Sequence, residues 1–217
     1  MSDDPETTRQ IAELARDSRP LLVLDVDDVI LEFIRPFPRF LAAKGYALGM
    51  ETFRLHGNVT EIDTGAVADR ETVSGLLGAF FAAQAEWQTM AAGASEALES
   101  LSAGAEIVLL TAMPHRHRAV RRAHLEALGL TYPLLTTEMA KGPAIAALRG
   151  DGKRPVAFVD DLPHNLSSAR DSVSDAHLFH LMADNSLRRL LPPPAEGIAV
   201  VEDWPDATPK IASALRL

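Results

Sequence analysis

The stretch that decides the fold is Leu21-Leu22-Val23-Leu24-Asp25-Val26-Asp27-Asp28-Val29-Ile30, an apolar run that leads into three carboxylates. Its apolar start predicts a strand buried on both faces, as in a parallel sheet. An unpaired carboxylate in such an interior is costly, so a positive charge is expected beside these aspartates. The carboxyl ends of strands in open α/β sheets line the ligand crevice. The stretch therefore predicts a charged site in which Asp25 and Asp27 point the same way.

A second apolar run with an acidic end lies far downstream, at Pro155-Val156-Ala157-Phe158-Val159-Asp160-Asp161. Two such runs predict neighbouring strands whose ends gather four carboxylates in one crevice. Oxygen ligands in that number suit Mg²⁺, which binds one or two carboxylates together with water and substrate phosphate. The two runs together predict a Mg²⁺ site at these strand ends.

Two further features between these runs fit a phosphoryl site. A third strand pattern, 106–111, ends in Thr111, whose hydroxyl can donate to a phosphate oxygen. Lys141 opens a helical pattern, and its ammonium can neutralise charge on a transferring group. Lys153 and Arg154 compete with it, because they lie closer to the last acidic strand.

The choice between these cations depends on a helix start. Thr137 and Glu138 predict that a helix begins just before Lys141, which would place Lys141 in a first turn facing the site. We therefore prefer Lys141.

Taken in order, these motifs resemble those of the haloacid dehalogenase-like (HAD) hydrolase superfamily. In that pattern an apolar strand leads into Asp-x-Asp-x-Thr/Val, a later strand ends in Thr or Ser, a Lys or Arg follows, and an acidic pair closes the last strand. The matching residues are Asp25 to Val29, Thr111, Lys141 and Asp160-Asp161. The resemblance covers residues 21–29 and about 105–180, and it finds no motif in residues 32–90.

The resemblance implies a phosphatase mechanism. Asp25 would be the nucleophile that forms an aspartyl-phosphate, and Asp27 the general acid and then the general base. Thr111 and Lys141 would hold the phosphoryl oxygens. The dehalogenase branch lacks the second aspartate, so Asp27 favours phosphoryl transfer over carbon–halogen cleavage.

The resemblance also implies the metal ligands and the rival functions. Mg²⁺ would be bound by Asp25, by Asp160 and by the backbone carbonyl of Asp27, while Asp161 would orient or complete the metal shell. A phosphotransferase of the same superfamily and a non-catalytic binding protein on the same fold remain alternatives. Capping at strand-to-helix turns is the ordinary structural alternative for the aspartates.

The alternation of strand and helix patterns predicts an α/β fold: a Rossmann-like parallel sheet with helices on both faces. Its core would comprise residues 1–31 and 91–217. Strands are expected near 21–26, 105–111, 132–136, 155–160 and 176–182, with an edge strand at 198–201. Helices are expected near 5–17, 93–103, 115–128, 138–149, 163–172, 184–191 and 205–217.

Residues 32–90 are expected to form a small α-helical cap, since the family places an insert there. Helices are predicted at 37–44 and 70–90, and no strand. Closure of such a cap would exclude water and select the substrate. The candidates to contact the substrate are Arg35, Arg39, Arg54 and His56, and Phe37, Phe40 and Phe53 for stacking on a base. For the three arginines and the histidine, the alternative is a solvated position on the surface. For the three phenylalanines, the alternative is packing in the apolar core.

Three residues near the acidic motifs receive simpler interpretations. Asp28 is out of phase with Asp25 and Asp27, so it is expected to be a turn or helix-capping residue. His164 and Asn165 follow the second acidic pair and are expected to serve as turn and capping groups, with a supporting role at the site as the alternative.

Composition narrows the class of protein. The 217 residues suffice for a full α/β core, and the absence of cysteine excludes disulfides and thiolate chemistry. The net charge of −9 disfavours nucleic-acid polymers and anionic membranes as partners. With no long apolar run and no signal-peptide pattern, a cytoplasmic enzyme is expected. The partner would be a small phosphorylated substrate, with nucleotides and sugar phosphates both open; the oligomeric state cannot be read from the sequence.

Overall fold

The computed structural model describes residues 4–15, 17–49 and 51–217. Within these ranges the strands are β1 (Leu21–Leu24), β2 (Tyr46–Leu48), β3 (Val59–Glu61), β4 (Glu106–Thr111), β5 (Leu134–Thr136), β6 (Val156–Asp160), β7 (His177–His180) and β8 (Ile198–Val200). The helices are α1 (Pro5–Ala12), α2 (Pro36–Ala43), α3 (Arg70–Ala82), α4 (Gln84–Trp87), α5 (Ala94–Ser102), α6 (Arg118–Ala127), α7 (Lys141–Arg149), α8 (Pro163–Ser172) and α9 (Trp204–Leu215).

The main sheet is parallel and has the strand order β5-β4-β1-β6-β7-β8. Strand β1 lies between β4 and β6, and Leu24 pairs with Leu109 on one side and Val159 on the other. Odd and even residues of β1 enter two separate apolar clusters. Helices α5, α6 and α9 contribute to one cluster, and α1, α7 and α8 to the other. The predicted α/β sheet with helices on both faces is confirmed. No helix in the described ranges is long and apolar enough to cross a membrane.

Several elements are shorter than the sequence predicts. Strand β1 ends at Leu24 rather than near residue 26, and the chain turns at Asp28, which adopts a left-handed φ of +58°. Helix α1 ends at Ala12 rather than near residue 17, and residue 16 lies outside the described ranges. The expected helix at 184–191 is a 3-10 helix at Asn185–Leu190.

Residues 32–90 contain strands as well as helices, so the prediction that this segment has no strand is wrong. Strands β2 and β3 form an antiparallel pair of three residues each. Strands this short carry too few alternations to be recognised against a polar, turn-rich background. The segment has an apolar cluster of its own, in which Phe37, Phe40 and Phe80 are fully buried.

Helix α1 is anchored to the loop that precedes α7. The Asp4 carboxylate caps α1 by accepting the Thr7 N–H at 3.0 Å, and it also accepts the Glu138 N–H at 2.9 Å. His115 Nε2 lies 3.0 Å from the same carboxylate. Burial works to raise the pKa of Asp4, but these N–H donors outweigh it and hold the pKa well below its usual range. The leading helix thereby fixes the loop that presents Lys141.

Candidate active site

Three carboxylates meet at the carboxyl edge of the sheet. Asp25 directly follows β1, Asp160 is the last residue of the neighbouring β6, and Asp161 follows it. One oxygen from each lies within 4.8 Å of the others, and all three side chains are buried. The structure thus brings together three of the four aspartates that the sequence predicts at one site.

Lys141 supplies a positive charge to this cluster. Its Nζ lies 2.6 Å from Asp25 Oδ1 and 2.6 Å from Asp160 Oδ2, and the side chain is buried. Helix α7 begins at Lys141 itself, with Ala140 as the N-cap residue. The expected helix start at Thr137 is therefore wrong: its hydroxyl accepts the Met139 N–H at 3.2 Å in the preceding turn. Lys141 still lies in a first turn that faces the site.

The competing cations lie elsewhere. Arg154 pairs with Glu106, at the amino end of β4 and thus at the opposite edge of the sheet. Lys153 is exposed. Their closeness to β6 in sequence does not bring them near the site, because the carboxyl end of a strand lies one strand length from the residues that precede it.

The buried charges shift one another's protonation. Burial raises the pKa of Asp25 to about 7, with the neighbouring carboxylate of Asp160 adding to the effect and the Lys141 ammonium opposing it. Burial and Asp160 also raise the pKa of Asp161 well above its usual value. Burial alone would lower the pKa of Lys141, but the carboxylates of Asp160 and Asp25 outweigh it and raise that pKa. Three carboxyl groups thus share one ammonium, and the raised pKa values of Asp25 and Asp161 follow from that shortage of positive charge.

Neighbouring groups fix the orientation of Asp160 and Asp161. Asp160 Oδ1 accepts the Leu162 N–H at 2.9 Å and the Asn165 side-chain amide at 3.0 Å. His180 Nε2 lies 2.8 Å from the Asp161 carbonyl oxygen. Asn165 therefore supports the site as well as lying in the first turn of α8.

Asp27 faces a different set of partners. Its Oδ1 accepts from Arg121 Nη2 and from Gln88 Nε2, each at 2.9 Å. Its Oδ2 lies 3.4 Å from the Thr111 hydroxyl. Asp27 is therefore not one of the three aspartates whose oxygens lie within 4.8 Å of one another. It lines the same cavity as Asp25 and Asp161, so these carboxylates share one crevice.

Sequence reasoning did not identify Arg121 or Gln88. Arg121 is fully buried on α6, on the same face as the buried Leu125 one turn later. A charged residue on the apolar stripe of an amphipathic helix is the signal that was available. Gln88 follows α4 and has no comparable signal.

Asp28 serves the turn, as the sequence predicts. Its Oδ1 accepts the N–H groups of Phe33 and Ile34, each at 3.2 Å. Burial raises the pKa of this carboxyl to about 7. Asp28 therefore shapes the chain that leaves the sheet for the 32–90 segment.

A cavity of about 770 Å³ opens beside these residues. Asp25, Asp27, Thr111 and Lys141 line one end of it, together with Asp28 and Asp161. Side chains from the 32–90 segment and from the main-sheet loops line the remainder, and those from the segment include Phe33, Phe81 and Leu77. The cavity is thus a space between the two parts of the chain, with the charged groups at its floor.

The predicted substrate contacts are only partly at this cavity. Of the four described side chains Arg35, Arg39, Arg54 and His56, Arg54 lines it. Arg35 pairs with Asp184 at 2.8 Å. Of the three phenylalanines, Phe37 and Phe53 line the cavity, whereas Phe40 packs inside the cluster of the segment. His164 also lines it and is exposed.

Comparisons with known proteins identify the fold. No protein-family model matches the chain, and no curated protein matches it in sequence. Similar solved structures include a haloacid dehalogenase-like protein from Agrobacterium tumefaciens, at 16% identity with a TM-score of 0.62, covering 92% of this chain and 100% of that one. A HAD family hydrolase from Deinococcus radiodurans with bound phosphate and sodium shares 17% identity over 91% of this chain and 97% of that one, with a TM-score of 0.58. The D,D-heptose 1,7-bisphosphate phosphatase from Burkholderia thailandensis shares 16% sequence identity over 90% of this chain and 99% of that one, with a TM-score of 0.52.

Proposed function

We propose that this protein, which has the fold of the haloacid dehalogenase-like hydrolases, is a Mg²⁺-dependent phosphatase that hydrolyses a small phosphomonoester through an aspartyl-phosphate. One observation carries the proposal. Asp25, Asp160 and Asp161 converge around the Lys141 ammonium at the floor of a cavity that Asp27 and Thr111 also line. Phosphate bound to one solved neighbour and the phosphatase activity named for another are consistent with it.

In the first step, a carboxylate oxygen of Asp25 attacks phosphorus, and the bond between phosphorus and the alcohol oxygen breaks. Asp25 is suited to attack because burial removes the water that would otherwise solvate its charge, while Lys141 holds the carboxylate in place at 2.6 Å. The Lys141 ammonium and the Thr111 hydroxyl stabilise the charge on the phosphoryl oxygens. The product of this step is phosphorylated Asp25.

Asp27 moves the protons. It gives a proton to the leaving alcohol oxygen, and then takes one from the water that hydrolyses the aspartyl-phosphate. Arg121 and Gln88 each donate to Asp27 Oδ1 at 2.9 Å, so they position this carboxylate beside the cavity. We assign both as positioning residues.

The donor set fits a divalent cation. Three buried carboxyl groups face one ammonium, so a divalent cation would supply the positive charge that lets all three ionise, in a site built from the hard oxygen ligands that Mg²⁺ prefers. We propose that Asp25, Asp160 and Asp161 hold the ion, together with the backbone carbonyl of Asp27. When bound, the ion supplies positive charge to the phosphoryl oxygens.

We further propose the division of the chain that the sequence predicts, with residues 1–31 and 91–217 as the core and 32–90 as a cap. The separate apolar cluster of the segment supports it, as does the cavity lined from both sides. Closure over the cavity would exclude water other than the attacking molecule.

The test is phosphate release from 4-nitrophenyl phosphate and a panel of sugar and nucleoside monophosphates, with Mg²⁺ or with EDTA. The wild type should release phosphate only with Mg²⁺, and Asp25→Asn should abolish release because the amide cannot attack. Asp63→Asn, at an exposed aspartate of the 32–90 segment, is the matched control. Equal release by wild type and Asp25→Asn would overturn the proposal. Added alcohols distinguish a phosphotransferase, which would transfer the phosphoryl group to them.

A further inference from the structure

The walls of the active-site cavity are apolar away from its charged floor. Phe33, Phe37 and Phe81 line it from the 32–90 segment. Met113, Leu187 and Leu190 line it from loops of the main sheet. A substrate seated with its phosphate on Asp25 would therefore place its alcohol portion against aromatic and aliphatic side chains.

Few groups on these walls can hydrogen-bond to hydroxyls. Beyond the floor, the polar side chains among the described lining residues are Thr52, Arg54, His164 and Asn165, and Asn165 already donates to Asp160. A sugar would bring several hydroxyls into this space, and a buried hydroxyl without a partner is costly. The walls thus favour an alcohol without further hydroxyls.

The charges around the cavity disfavour a second anionic group. Four aspartates line it, and the Lys141 ammonium is already paired with Asp25 and Asp160. Arg54 is the other cation among the described lining residues, and it is exposed. A bisphosphate or a nucleoside diphosphate would therefore place its additional phosphate where Arg54 is the one unoccupied cation among the described lining residues.

The cavity is also large. Its volume of about 770 Å³ lies in the range of pockets that enclose drug-sized ligands. An alcohol of two or three carbons would leave most of the apolar wall uncovered, so the volume matches a bulky alcohol.

Resting on the proposed phosphatase activity, we propose that the substrate is the phosphate monoester of a bulky apolar alcohol that bears no second anionic group. Attack by Asp25 breaks the bond between phosphorus and the alcohol oxygen and releases the free alcohol, and water then hydrolyses the aspartyl-phosphate to give inorganic phosphate. The burial of the alcohol against the cavity walls provides the selectivity.

A homologous series of straight-chain alkyl phosphates, from ethyl to octyl, tests this with leaving alcohols of nearly equal acidity. Each added methylene should raise kcat/KM about three- to fourfold until the cavity is filled, which corresponds to about 0.8 kcal/mol per buried methylene. Two pairs of esters with similar shapes are compared. The kcat/KM for propyl phosphate should exceed that for glycerol phosphate, and the kcat/KM for cyclohexylmethyl phosphate should exceed that for glucose 6-phosphate. All are assayed below their micelle concentrations.

A pair of variants locates the effect. Leu190→Asn places an amide on the wall, and it should lower the ratio of kcat/KM for octyl over ethyl phosphate by more than about fivefold. Ile62→Asn changes an exposed residue of the 32–90 segment that does not line the cavity, and it should leave this ratio unchanged. Equal ratios in both variants would overturn the assignment of the apolar wall.

The outcomes separate this inference from the proposed function. Hydrolysis that depends on Asp25 but does not increase with chain length, or that favours the hydroxylated member of each pair, would overturn the apolar substrate and leave the phosphatase intact. If no ester is hydrolysed, the proposed function fails, and calorimetry with octyl phosphate decides about the cavity. Binding tighter than that of glycerol phosphate, with a negative heat-capacity change, would support the apolar site, and equal or absent binding would overturn it.

Discussion

Replacing Lys141 with Met should lower the free energy of unfolding by about 3–5 kcal/mol, because it removes one partner of a buried ion pair. The ammonium lies 2.6 Å from oxygens of both Asp25 and Asp160, and it is 1% exposed. At an effective dielectric constant of about 20, each contact is worth about 6 kcal/mol of attraction. Most of this attraction offsets the desolvation of the charges, and the remainder is lost in the variant.

The assay is urea unfolding followed by circular dichroism in EDTA at pH 8, above the pKa of about 7 that burial gives Asp25. For 217 residues, the loss corresponds to a fall in Tm of roughly 6 to 20 °C. Lys153→Met, at an exposed lysine, is the control and should change stability by less than about 0.5 kcal/mol. Mg²⁺ should raise the Tm of Lys141→Met more than that of the wild type, because the ion replaces the missing positive charge.

The reasoning is refuted if Lys141→Met costs less than about 1 kcal/mol under these conditions, since a buried pair then contributes no more than a surface one. It is equally refuted if Lys141→Met and Lys153→Met behave alike.

Three further changes test other parts of the structure. In Gly142→Ala the new Cβ would lie 2.0 Å from a backbone oxygen of α8, so the free energy of unfolding should fall by about 1–3 kcal/mol. In the control Gly75→Ala, on α3, the new Cβ meets nothing within 4 Å, so this variant should be slightly more stable than the wild type. Equal effects of the two changes in urea unfolding would contradict this. The pKa of Asp4 is lowered in the folded protein, so its carboxylate stabilises the fold above the ordinary pKa of 3.8, and this contribution is lost as the pH falls below that value. Asp4→Asn should therefore lower the free energy of unfolding by about 1–2 kcal/mol at pH 7 and by less at pH 3. A loss that does not vary with pH would count against this role of Asp4. Arg121→Met should lower kcat on 4-nitrophenyl phosphate about 10- to 100-fold with little change in KM, because the proton-transferring carboxylate of Asp27 loses its positioning partner. Arg121→Lys should restore part of the activity, and Arg39→Met, at an exposed arginine, is the control. A change confined to KM would indicate a role in substrate binding instead.

The charged floor of the cavity follows from local sequence. Runs such as Leu21–Leu24 and Val156–Val159 contain only apolar residues over the length of a strand, so burial on both faces can be read from them directly. Because the carboxyl ends of parallel strands meet at one edge of the sheet, the sequence alone is enough to place Asp25 and Asp160 at the same edge. That they lie side by side follows from the strand order, in which β1 is next to β6.

Short strands and the exact start of a helix are harder to predict from the sequence. Strands β2 and β3 are three residues each, and what stabilises them is their pairing with each other and their packing on the phenylalanines of the segment. Their sequences carry no periodic signal of that pairing. The sequence predicts too early a start for α7, because the Thr137 hydroxyl stabilises a local turn that competes with a helix cap.

By itself the sequence determined the α/β sheet, the order of its acidic motifs and the strand ends at which they stand, because these depend on short-range alternation of apolar and charged residues. Only the tertiary structure decided that Asp27 pairs with Arg121, 94 residues away in the chain. It alone decided that Lys141 bridges Asp25 and Asp160, and that the cavity above them has apolar walls. The physical reason is that burial of a side chain is a property of the packed elements around it, and those elements come from parts of the chain that no local pattern connects.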